Sequence, residues 1–225
     1  MDSNNRTKTM PSGIQSTALD PAVAKVLKNT YFLLSLTLAF STIMAGVSMA
    51  INAPFFGLLT LVPYVLCLWM TEKNKNNASG IVWVFALTGW MGFTLGPILN
   101  MFLAIQGAEP IMMALGSTAL IFFASSAYVL TTRKNLSFMT GFLMTGLLLA
   151  FVASIANYFL QIPALSLTVS AVFALLSTGL IMWQTSAIIH GGERNYISAT
   201  VTLFVMLYNL FVSLLQIFGV MGGDD

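Results

Sequence analysis

ALSLTVSAVFALLSTGLIMWQTSAII, residues Ala164–Ile189, contains no Asp, Glu, Lys or Arg. At about 1.5 Å of rise per residue, a helix of this length covers the roughly 30 Å hydrocarbon core of a bilayer with some left over for tilt. It lacks the polar alternation of a barrel strand, whose lumen face must be wet. Working outward, similar stretches recur on both sides, giving approximate spans of 31–51, 55–70, 81–103, 110–131, 137–160, 164–189 and 196–220. Every charged side chain falls outside them. The bulk composition agrees, because 57% apolar and 7% charged residues lie far from the roughly 45–50% and about 25% of soluble domains. Backbone groups in hydrocarbon must be paired within the segment, so the expected fold is all-α, an integral membrane bundle of seven transmembrane helices.

The charges set its orientation. Arg6, Lys8, Lys25 and Lys28 precede the first span, Lys73 and Lys75 follow the second, Arg133 and Lys134 follow the fourth, and Arg194 follows the sixth. The connections near 52–54, 106–109 and 161–163 carry no basic residue, and the chain closes on Asp224 and Asp225. The positive-inside rule then places the amino terminus in the cytoplasm and the carboxyl terminus in the periplasm. Three regions follow: a flexible cytoplasmic tail over 1–29, a transmembrane domain over 30–220 and a short periplasmic tail over 221–225. The tail is rich in Asn, Ser, Thr and Lys, too polar to bury a core of its own. Within it, Asp20-Pro21 reads as a helix start, leading either into a short amphipathic surface helix or directly into the first span.

With Cys67 as its one cysteine and His190 as its one histidine, the chain lacks the materials for a disulfide, a cysteine or histidine metal cluster, or a Ser-His-Asp arrangement. No catalytic residue, metal site, cofactor or nucleic-acid partner is expected; the lipid bilayer is. The spans also lack ionisable groups, which argues against a proton-coupled pump. Neutral polar side chains remain, chiefly Asn100, Asn157, Gln184 and Asn209. Thr202, Asn209, Ser213 and Gln216 recur on one face of the last span, which should point into the bundle. Small-residue stripes, Gly89, Gly92 and Gly96 before Asn100 and Gly146, Ala150 and Ala153 before Asn157, suit close helix packing completed by an interhelical amide bond. Pro97 should kink or break the third span, and Pro63 allows the same in the second. His190-Gly191-Gly192 should end the sixth, with His190 at a water-facing edge where a pH-sensing role is conceivable.

Several segments resemble a known family. Gly89-Trp90-Met91-Gly92-Phe93-Thr94-Leu95-Gly96-Pro97-Ile98-Leu99-Asn100, with Ala114–Ala119 and Phe122-Phe123, is similar to the signature of the Bax inhibitor family of seven-helix membrane proteins. Asn29–Phe40, Ser126–Lys134 and Tyr208–Leu215 resemble its bacterial YccA branch. The resemblance implies a multi-pass protein of the bacterial plasma (inner) membrane that binds and restrains the ATP-dependent membrane protease FtsH. The protein would itself be a slow substrate, entered through Met1, Asp2, Ser3 and the tail that follows. Other family members imply an alternative, a pH-sensitive calcium leak gated by two paired aspartates. The matching positions here are Gln184 and Met206, which offer a neutral amide and a thioether where calcium and a proton switch want carboxylates.

Overall fold

A computed structural model describes residues 20–222. They form seven α-helices: α1 (Pro21–Ala50), α2 (Leu61–Asn74), α3 (Ser79–Gln106), α4 (Glu109–Thr132), α5 (Thr140–Leu160), α6 (Pro163–Ile189) and α7 (Tyr196–Met221). Short 3-10 turns, Gly57–Thr60 and Ser137–Met139, lead into α2 and α5. No strand occurs among the described residues. Six of the seven helices, all but α2, are long and apolar enough to cross a membrane.

Local chemistry explains where the helices begin. Asp20 caps α1, its Oδ1 accepting from the Ala22 N–H at 2.8 Å, and Pro21 occupies the first turn, where a missing N–H costs nothing. Residues 21–29 therefore belong to one continuous α1, so Asp20-Pro21 leads directly into the first span, one of the two expected readings. The second span departs furthest from its expected 55–70. Pro54, and Gly57 at φ +54°, disrupt the chain before the 3-10 turn, so regular helix starts only at Leu61. Pro63 then sits in the opening turn of α2. Of the kink or break expected in the third span, the break does not occur: α3 runs unbroken through Pro97. Gly92 and Gly96, next to the Phe93 carbonyl and the Pro97 nitrogen that lose their hydrogen bond, are seated against α1, and hydrocarbon penalises any further unpaired backbone.

The α1–α3 seam shows why three glycines were needed. A Cβ on Gly96 would lie 2.5 Å from Ser48 Cβ, one on Gly89 2.6 Å from Phe40, and one on Gly92 would collide with the Ser41 carbonyl oxygen. Gly146 on α5 and Gly179 on α6 accept Leu176 and Leu143 in the same way, with a Cβ meeting them at 2.9 and 2.8 Å. At the centre stands α7, packed against α6, α4, α1 and α3, with Leu203, Phe204, Leu207, Leu210 and Leu215 in the core. In its most apolar stretch 61% of residues are buried, against 11% for α5, which packs mainly on α6. Three buried threonines are satisfied locally: Thr37, Thr71 and Thr185 return their hydroxyls to carbonyls one turn back at 2.8–2.9 Å.

Candidate functional site

The helices alternate in direction, so the connections α2–α3, α4–α5 and α6–α7 gather at one end of the bundle. Two side chains knit them together. Asn195 caps α7, its Oδ1 accepting from the N–H groups of Ile197 and Ser198, while its Nδ2 donates to Lys75 O at 3.0 Å and Asn76 Oδ1 at 2.9 Å. Ser186 donates to Lys134 O at 2.9 Å and accepts from the Leu136 N–H at 3.0 Å. Lys73, Lys75, Arg133, Lys134 and Arg194 thus share what we term the basic end. Lys75 bonds Glu72, and that hydrogen bond chiefly raises the ammonium's pKa above the ordinary lysine range. Any stabilisation from this exposed pair is present at neutral pH and is lost as alkali titrates the lysine. Among the described residues no group of three or more His, Cys, Asp or Glu side chains is arranged to hold a metal.

Several cavities enter the bundle; Gln184 and Met206 line two of them, which differ in size and share no lining residue. The basic-end cavity, about 310 Å³, is lined by Asn135, Trp183, Gln184, Ser186, His190 and Glu193 among others. Gln184 is 2% exposed, and its Nε2 has no hydrogen-bond partner among the described residues. His190 ends α6 at the exposed rim with Nδ1 2.9 Å from Ser186 O; a carbonyl can only accept, so Nδ1 carries the proton. Beside it Gly191 takes φ +72°, and the Gly192 N–H closes on Ala187 O at 2.8 Å. The second cavity, about 490 Å³, lies toward the opposite end between α5 and the α2, α3, α6 and α7 helices. Met206, Asn209, Ser213 and Gln216 line it from α7, and Ser170 of α6 hydrogen-bonds Gln216 across it. Trp90 lines it from α3, its indole N–H donating to Thr60 O at 3.1 Å in the 3-10 turn.

The sequence-selected residues therefore divide. Met206 and Asn209 share the larger cavity, and Gln184 and His190 share the smaller. The two positions that match the aspartate pair consequently open onto different cavities. Asn100 donates to Met49 O at 3.1 Å and latches α3 to the end of α1. Asn157 makes no interhelical bond: its Oδ1 accepts from the Ile162 N–H at 3.2 Å and shapes the α5–α6 turn. Pro97 lines neither cavity. Thr202 does not line the cavity with the rest of its face, and its hydroxyl returns to Ser198 O at 3.1 Å. Met1, Asp2 and Ser3 lie outside the described residues. Asn195 and Ser186 were not singled out from sequence. An Asn immediately before an apolar run is a helix-start signal that would have found the first; nothing local marks the second.

The family model described as "Inhibitor of apoptosis-promoting Bax1" matches residues 23–223. The chain belongs to the Bax inhibitor family. Among its relatives in that family, it is 56% identical over 201 residues to the "Modulator of FtsH protease YccA" of Escherichia coli strain K12, covering 89% of this chain and 92% of that protein. The same identity and coverage hold for the "Inner membrane protein YccA" of Escherichia coli O6:H1. A Pseudomonas aeruginosa family member is 53% identical over 205 residues, 90% of this chain and 92% of its own. This Bax inhibitor family chain is thus a multi-pass membrane protein close to a named protease modulator.

Proposed function

We propose that the chain crosses the bacterial inner membrane seven times, with its basic end in the cytoplasm and its carboxyl terminus in the periplasm. There it binds and restrains an FtsH-type ATP-dependent protease and has no enzymatic activity of its own. It is also a slow substrate, engaged at Met1, Asp2, Ser3 and the tail beyond, ahead of the membrane domain that begins with α1. The observation that carries this reading is the 56% identity to a named modulator of that protease along 89% of the chain.

Physical features support the seven crossings. With its 3-10 turn, α2 reaches roughly 29 Å, close to the hydrocarbon thickness. Trp69 and Lys73 sit together near its basic end, the ammonium 5.1 Å from the ring centroid, as befits an anchor at a headgroup boundary. Co-reconstitution of the full chain with an FtsH-type protease and a short-lived membrane substrate tests the function: degradation of that substrate should slow, and an unchanged rate overturns the reading. Deleting residues 2–19, which spares the Asp20 cap, should lengthen the chain's own lifetime in cells containing the protease.

The calcium leak makes the opposite demand. With Gln184 and Met206 the chain presents no carboxylate pair, so liposomes loaded with a calcium dye should show background flux at every pH. A pH-dependent flux would favour the leak over the regulatory role.

A further inference from the structure

We propose that the larger cavity, behind α5, binds an uncharged amphiphile: an apolar chain ending in a hydroxyl, amide or ester head without formal charge. This inference is independent of the protease reading. Its wall on α7 carries polar side chains, two of which make no hydrogen bond among the described residues. Ser213 is 5% exposed and makes no hydrogen bond among the described residues, and the Asn209 amide beside it makes none either. The Ser213 hydroxyl and the half-buried Asn209 amide thus face the cavity with no partner among the described residues, so this wall suits an occupant that supplies donors and acceptors. The facing wall on α5 is apolar but for Ser154. Met144, Leu148 and Phe151 line the cavity and are also 43%, 64% and 42% exposed, so the cavity opens sideways between α5 and α2 as well as into the bundle.

The lining contains Ser, Thr, Tyr, Asn, Gln, Trp and apolar side chains, and no Asp, Glu, Lys, Arg or His. A phosphate, sulfate, carboxylate or ammonium entering it would shed water and find no counter-charge, whereas a neutral head exchanges water for the amide and hydroxyl groups. The backbone at the cavity mouth is consistent with an occupied interior. Thr60, at the end of the 3-10 turn, and Leu61, at the start of α2, both line it, and non-helical backbone at membrane depth is tolerated where it borders a cavity.

Trp90 in the lining supplies the readout. The full chain in phosphatidylcholine nanodiscs is titrated with oleyl alcohol and with oleyl sulfate, which has the same chain and a permanent charge, while tryptophan emission is recorded. The alcohol should give a saturable change that vanishes in Trp90→Phe, and the sulfate should bind at least about tenfold more weakly. Ser213→Ala and Asn209→Leu should each weaken the alcohol by about tenfold, the scale of one lost hydrogen bond. Ser213→Ala, the milder change, guards against misfolding in the other, and thermal melts of both report it. Equal responses to alcohol and sulfate, indifference to both substitutions, or no saturable response, as for a vestibule holding only water, would each overturn the proposal.

Discussion

At the scale of single residues, close approach and capping govern this molecule. Gly92 is the sharpest test, because any Cβ there meets backbone of α1, which cannot swing aside as the end of a side chain could. Gly92→Leu should lower stability by about 3 kcal/mol or more, at or beyond the upper end of overpacking costs. Gly116→Leu, with nothing within 4 Å of its Cβ, should be neutral or gain up to about 1 kcal/mol of helix propensity. Thermal melts in one detergent compare the two. Asn195 allows a finer dissection: Asn195→Ala loses both the cap and the donor to the α2–α3 connection, and should cost about 1–2 kcal/mol. Asn195→Asp keeps the accepting oxygen and should recover part of that loss; if it melts with the alanine variant, the tie to Lys75 and Asn76 dominates over the cap. The glycine seam was readable because small residues one turn apart have few other uses in a span. The Ser186 bridge was not, since one serine within an apolar run has no distinguishing neighbour and its partners lie some fifty positions away in the chain.

At the scale of elements, legibility followed length. Apart from the start of α1, the long apolar runs yielded their helices within a few residues, because a charge-free stretch of membrane length has one economical conformation. Errors arose where short-range chemistry competes with hydropathy. Phe55–Thr60 are apolar enough to read as span, yet Pro54 and Gly57 turn them into an irregular entry, and the helix reaches on to Asn74 instead. Conversely, Pro97 failed to break α3, because packing against α1 outweighed one missing hydrogen bond. The same contrast makes α5 the loosest element, joined mainly to α6 through the Gly146 and Gly179 notches and walling the larger cavity. Amide exchange in nanodiscs should therefore protect α7 longest and release α5 earlier; equal protection of the two would show that lipid contact, rather than packing within the bundle, controls local opening.

At the scale of the whole molecule, the question is whether α2 crosses the bilayer, because this decides which connections share a compartment. Were α2 to turn back, the α2–α3 connection with Lys75 and the α4–α5 connection with Lys134 would still both meet the α6–α7 turn through Asn195 and Ser186. They would then share a compartment with the α1–α2 connection, which meets α3 at its far end through the Asn100–Met49 bond. The bundle does not readily satisfy both requirements, which supports the odd number of crossings proposed from the distribution of cations. The experiment is simple in this chain, since Cys67 is its one cysteine and is buried. In a Cys67→Ala background, single cysteines at Lys73 and Lys134 should react with a membrane-impermeant maleimide only after the inner membrane is opened, while Glu109→Cys and Ile162→Cys should react in intact spheroplasts. Labelling of Lys73→Cys and Lys134→Cys from opposite sides would remove α2 from the membrane, and with it the cytoplasmic placement of the amino-terminal tail on which engagement by a cytosolic protease motor depends.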